Sequence, residues 1–107
     1  MFIKKKTFHM LVDKTISKIE KYLDEYNGKL DLDYENNGKI TKINFESKNE
    51  IIITRQEFLK QIWVATKSQG YYFKYKNNKW ICRKKKHELF EFIKKYLFKK
   101  TQEKYFK

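Results

Sequence analysis

A chain of 107 residues has room for one hydrophobic core, and 40% hydrophobic with 18% aromatic content excludes a disordered chain. No apolar run approaches the roughly 20 residues of a membrane helix, and Met1 to Lys6 lack the apolar stretch of a signal peptide and are too short and lysine-rich for a transit segment. The net charge of +13 points towards polyanions, yet 24 of the 26 basic residues are lysine beside many Asn, Ile, Phe and Tyr, which A/T-rich codons alone would produce.

In chain order, the first expected element is an amphipathic helix over about Lys6 to Tyr26. Phe8, Leu11, Val12, Thr15, Ile16, Ile19, Leu23 and Tyr26 recur at helical spacing, and Asn27-Gly28 ends it. Leu30 to Glu35 alternates strictly and reads as a half-buried strand, followed by the hairpin signal Asn36-Asn37-Gly38. Strands are expected near 39–46, 50–54, 60–66, 70–76 and 79–83, with turns at Ser47-Lys48-Asn49, Ser68-Gln69-Gly70 and Asn77-Asn78. A second helix over about His87 to Lys100 turns Leu89, Phe90, Ile93, Tyr96 and Leu97 inward, and Thr101 to Lys107 is expected to fray. This order predicts one α+β domain spanning residues 1–107. It is a two-layer α/β sandwich, with both terminal helices on one face of an antiparallel sheet of about five or six strands.

The charge is unevenly spread. Residues 1–35 carry 7 lysines and 7 acids, whereas residues 36–107 carry the whole excess. At about 100° per residue, Asp13, Glu20 and Asp24 fall within roughly 40° of one another on the helix flank. Asp31, Asp33 and Glu35 share the strand face opposite Leu30, Leu32 and Tyr34, and Glu25 lies near the connecting turn. If the strand is the sheet edge beside the helix, the two rows merge into one acidic surface. Clustered carboxylates repel, and oxygen-only ligands suit hard cations in weak, open sites. His9 and His87 are not spaced to chelate together, and no nucleophile–base pair or paired-acid spacing is visible. An enzyme is therefore not expected. Cys82 is the lone cysteine, which excludes an internal disulfide and fits a reducing, bacterial-type cytoplasm.

Alternation in Ile62-Trp63-Val64 sends Trp63 to the face opposite its neighbours. With Ile62 and Val64 inward, Trp63 stands on the open sheet face, where it is expected beside Arg55 and Gln56 as a partner contact.

These segments resemble the frataxin family, most closely its bacterial, CyaY-type branch. The likeness runs from Phe8 to Leu97. It rests on Phe8-His9-x-Leu11-x-Asp13, Ile19-Glu20-x-x-Leu23-Asp24, Asp31-x-Asp33 and the isoleucines before Arg55-Gln56. It continues through Gln61-Ile62-Trp63, Gly70-Tyr71-Tyr72-Phe73 and Trp80-Ile81-Cys82. Thr54 and Phe58 stand where that family usually has Asn and Pro, and Lys21, Asn27 and Lys29 where bacterial relatives often carry acids. The resemblance implies iron, Fe²⁺ or Fe³⁺, as the cation, held by Glu20, Asp24, Glu25, Asp31 and Asp33, with Asp13 and Glu35 as additional candidates. The three substitutions imply fewer or weaker sites than in more acidic relatives.

The resemblance also implies a modulator of iron–sulfur cluster assembly that donates or senses iron and regulates a cysteine desulfurase and its scaffold protein. Arg55, Gln56 and Trp63 would touch those partners. It implies a monomer when iron-free, with iron-driven oligomers and a weak ferroxidase reaction left open. The competing expectation is a nucleic-acid module built on Lys84-Lys85-Lys86, Lys94-Lys95, Lys99-Lys100 and the sheet aromatics. The two arginines, the absence of an RNA-binding signature and the acidic row weigh against it.

Overall fold

The first helix, α1 (Lys5–Asp24), buries Phe8, Val12, Ile16, Ile19 and Leu23 on a single stripe, as the helical spacing predicts. The computed structural model describes residues 3–46, 48–84 and 86–107. Met1, Phe2, Ser47 of the expected turn and Lys85 of the lysine run lie outside them. Seven strands follow α1: β1 (Leu32–Asn36), β2 (Ile40–Phe45), β3 (Asn49–Gln56), β4 (Gln61–Ala65), β5 (Gly70–Lys76), β6 (Lys79–Cys82) and β7 (His87–Glu88). Each pairs antiparallel with the next, so the sheet is a meander in chain order with β1 at one edge. The second helix, α2 (Leu89–Thr101), completes the layer, burying Leu89, Phe92, Ile93 and Leu97. Among the described residues no helix is long and apolar enough to cross a membrane.

The two-layer arrangement is the expected one, with seven strands where about five or six were predicted. The addition is β7, in which His87 pairs with Cys82 and Glu88 with Ile81. These residues were expected to start the second helix. Instead, Glu88 caps it: its extended backbone (φ −87°, ψ 143°) stays outside the helix while its carboxylate accepts from the Glu91 N–H at 3.0 Å.

Side-chain alternation sorts the sheet cleanly. Ile43, Phe45, Ile51, Ile53, Ile62, Val64, Phe73, Trp80 and Cys82 point to the helices and are buried. Ile52, Thr54, Gln56, Trp63 and Tyr72 occupy the opposite phase, on the open face. Two tight turns use the residues their backbones demand. Gly38 adopts φ +94° after Asn37, and Asn77 and Asn78 both adopt positive φ between β5 and β6.

Residues 101–107 do not fray, contrary to expectation. Gln102 takes a left-handed conformation (φ 61°) that ends α2, and Lys104–Phe106 form one 3-10 turn. Phe106 is 1% exposed and stacks on Tyr26 at 5.4 Å. Tyr105 stacks on Tyr22 at 4.9 Å, and each of these tyrosine hydroxyls donates to the other's backbone carbonyl, at 3.0 and 2.6 Å. The segment closes the gap between the C-terminal ends of the two helices with aromatic area that would otherwise face water.

Candidate functional site: an acidic edge and an open aromatic face

Helical spacing placed Asp13, Glu20 and Asp24 on one flank, and each meets a donor from the sheet. Tyr34, an inward residue of edge strand β1, donates its hydroxyl to Asp24 Oδ1 at 2.8 Å. Asn36 donates its amide to Glu20 Oε2 at 2.9 Å, while its own carbonyl accepts from the Gly38 N–H and so fixes the amide's orientation. Asp13 accepts from Arg55 Nη2 at 2.6 Å. Only this last contact neutralises a charge. Glu20 and Asp24 keep their negative charge and further acceptor positions.

The Tyr34 hydroxyl registers that charge. Its hydrogen bond to Asp24, followed by burial and the charges of Asp24 and Glu20, pushes its pKa up to about 12. Tyr22 is also raised to about 12, by burial first and then by Tyr105 and Glu91. Both folded values exceed that of a free phenol, near 10. Their contribution to stability is therefore complete below about pH 10 and lost as pH rises towards 12. Urea melts from pH 8 to 12 are expected to show this decline, and a shallower one in Tyr34→Phe, which also gives up about 1 kcal/mol for the lost bond. Identical slopes in the two proteins would disprove the coupling of Tyr34 to the acids.

The strand acids lie elsewhere. Asp33 and Glu35 pair with Asn44 and Lys42 on the open-face phase of β1 and β2. Asp31, Asp33, Asn44 and Phe45 line a shallow depression there. Lys42, opposite Glu35, bonds Glu50 at 3.3 Å. Glu25 is exposed at the end of α1, close enough to Tyr105 to help raise its pKa, second to burial. The edge strand β1 thus lies between the helix row and the strand row. Among the described residues, no three His, Cys, Asp or Glu side chains converge in a way that could hold a metal ion.

Arg55 is the clearest correction. It shares the phase of Ile51 and Ile53, so it points to the helix layer and not to the face of Trp63. Its side chain is only 13% exposed. Besides Asp13, its Nη1 donates to His9 Nδ1 at 3.0 Å. His9 Nδ1 must then be an acceptor, which leaves Nε2 to donate to Glu57 Oε1 at 2.5 Å. That bond, aided by Lys5 at 3.7 Å, holds the Glu57 carboxyl below its ordinary pKa. Lys5, Glu57, His9, Arg55 and Asp13 thus form one chain that ties the start of α1 to the end of β3. Phe8-His9 and Arg55 were visible as separate motifs; their contact spans 46 residues and left no local signal.

Trp63 and Gln56 do occupy the open face. Trp63 sits between Thr54 and Tyr72 in register, with its ring 4.4 Å from that of Tyr72. The ring also covers Gly70: a Cβ there would lie 2.0 Å from the indole. Gly70→Ala is therefore expected to displace Trp63, read as a red shift and altered quenching of its fluorescence. A spectrum identical to wild type would refute the packing. Beyond Gln56, the β3–β4 turn lifts Phe58 (94% exposed) and Leu59 (53%) into solvent, two apolar residues that the sequence reading did not assign to a partner contact.

Residues 1–103 match the frataxin-like domain. The chain belongs to the frataxin family. A solved frataxin from Psychromonas ingrahamii, described within the CyaY protein family, superposes with a TM-score of 0.87 at 34% identity over 94% of each chain. Membership associates this frataxin, in general terms, with iron-related work in iron–sulfur cluster assembly. Within that family this chain combines a helix flank bearing Glu20 and Asp24 with an open face bearing Trp63, Tyr72 and Gln56.

Proposed function

We propose that this frataxin binds iron weakly at its acidic edge and modulates the cysteine desulfurase–scaffold complex, without catalysing a reaction of its own. The observation that carries the reading is the α1 flank, where among the described residues Glu20 and Asp24 meet only neutral donors, Asn36 and Tyr34. An acidic pair left without a cation, in a chain of net charge +13, is costly unless a cation or a basic partner surface compensates it. Hard, oxygen-preferring Fe²⁺ or Fe³⁺ suits carboxylates in such an open site. The depression at Asp31 and Asp33 offers a second, separate locus, with Glu25 at the corner between them. Asp13 contributes little, because Arg55 already neutralises it. Glu35 stands opposite Lys42 in the strand pair, but Lys42 bonds Glu50 instead.

The partner would rest on the open face. Trp63 and Tyr72 form a rigid aromatic pair, Gln56 supplies amide donors and acceptors, and Phe58 and Leu59 extend the apolar area beyond the sheet. Iron supply would then alter how the acidic edge meets a basic partner while the open face stays docked.

An anaerobic Fe²⁺ titration followed by amide NMR tests the iron half. Signals of Glu20, Asp24, Asp31 and Asp33 are expected to shift or broaden first, with millimolar rather than micromolar midpoints. Several tight sites would overturn the weak-site reading, and no perturbation at all would remove iron from the mechanism.

A further inference from the structure

A groove between the β4–β5 turn and the C-terminal half of α2 plays no part in that reading. It encloses about 360 Å³, within the range of small-ligand sites. Lys95, Lys99 and Lys100 line one side and the turn residues Thr66 and Gln69 the other. Among the described residues no Asp or Glu lines it. Among the described residues none of these lysines forms an ion pair within 4 Å, and Lys100 lies over the Tyr96 ring at 5.7 Å, whereas neighbouring Lys94 pairs with Glu91 and leans over the rings of Tyr22 and Phe90. Lys95 and Lys99, four residues apart on one helix, repel each other until an anion lies between them.

The same groove carries a row of rings. Tyr71 lies 4.8 Å from Phe92, and Phe92 is stacked with Tyr96 at 6.3 Å. Tyr71 and Tyr96 are only half-buried, so the row meets the cavity. Lysines alone would suit any anion. Lysines beside a contiguous aromatic row suit an anion that carries a planar group.

We propose that this groove binds a nucleoside polyphosphate, its phosphates held by Lys95, Lys99 and Lys100 and its base against the Tyr71–Phe92–Tyr96 row. The site is independent of the acidic edge, so iron binding and nucleotide binding fail or succeed separately.

The test is an amide NMR titration of the full chain with metal-free ATP at about 0.15 M salt, beside adenosine and inorganic tripolyphosphate. ATP is expected to give saturable shifts confined to Thr66–Tyr71 and Phe92–Lys100, with tripolyphosphate weaker at the same amides and adenosine weaker still. The double variant Lys95→Gln/Lys99→Gln is expected to weaken ATP roughly tenfold. Lys74→Gln/Lys76→Gln removes equal charge from the opposite sheet face and is expected to change affinity by less than about twofold. Tyr96→Leu is expected to weaken ATP and leave tripolyphosphate unchanged. Equal losses in the two double variants, or shifts spread over all lysines without saturation, would reduce the effect to bulk attraction and overturn the site. Tripolyphosphate binding as tightly as ATP in both wild type and Tyr96→Leu would overturn the nucleotide.

Discussion

Phe106→Ala is expected to lower stability by about 3 kcal/mol, the usual cost of emptying a well-packed phenylalanine site. In a domain of this size that corresponds to a fall of roughly 10–20 °C in melting temperature. The residue is 1% exposed and stacked on Tyr26, in a segment anchored by the reciprocal Tyr22–Tyr105 bonds and by Tyr26 donating to Glu103 at 2.6 Å. The Tyr26 hydroxyl also accepts from the Leu30 N–H at 2.9 Å, so the tail braces the connection between α1 and β1. That connection carries Glu25 and Asp31, which makes the tail a support for the acidic edge. Truncation after Gln102 is expected to lose at least as much as the point variant. A melting temperature unchanged by either would show that the tail is not part of the folded unit.

The second large effect separates two residues that sequence alone had grouped. Trp63→Ala is expected to weaken binding to the desulfurase–scaffold complex by about 2 kcal/mol or more, roughly thirtyfold. Its stability cost is smaller, about 1 kcal/mol, because the lost contacts are a half-buried aromatic pair with Tyr72 and the cover over Gly70 on the open face. Arg55→Ala is expected to behave in the opposite way. It removes the donor to Asp13 and His9 and costs about 1–2 kcal/mol of stability, yet leaves partner affinity near wild type. Asp13 is exposed and finds water when Arg55 is gone, which keeps the loss moderate. Parallel melts and binding isotherms of the two variants decide the matter. Equal affinity losses in both, with both folded, would return Arg55 to the interface and contradict its inward placement.

The same contrast shows what could be read without coordinates. Arg55 was legible in principle: Ile51, Ile53 and Arg55 share one phase, and period-2 alternation places all three on the helix side. Grouping it with Trp63 weighed chain proximity over phase. The flank bearing Glu20 and Asp24 was legible because 100° per residue holds along any regular helix. Its donors were not, since Tyr34 and Asn36 reach α1 only after β1 takes the edge of the sheet. The face of Asp33 and Glu35 also followed from alternation. That this face lies across the strand from the helix acids, and not beside them, depends on which side of the sheet the helices cover.

The sequence by itself determined the two helices, six of the seven strands, the turns at Gly38 and Asn77-Asn78, and the open-face position of Trp63. Each follows from a period of 3.6 or 2, or from a residue that tolerates positive φ, and such signals reside within a few consecutive residues. Only the tertiary structure decided the rest. Tyr22 meets Tyr105 across 83 residues, Arg55 meets Asp13 across 42, and α2, with its three lysines, Phe92 and Tyr96, meets Tyr71 and the β4–β5 turn. Those contacts are selected by packing two layers at once, and no local pattern in a single segment encodes the segment it will touch.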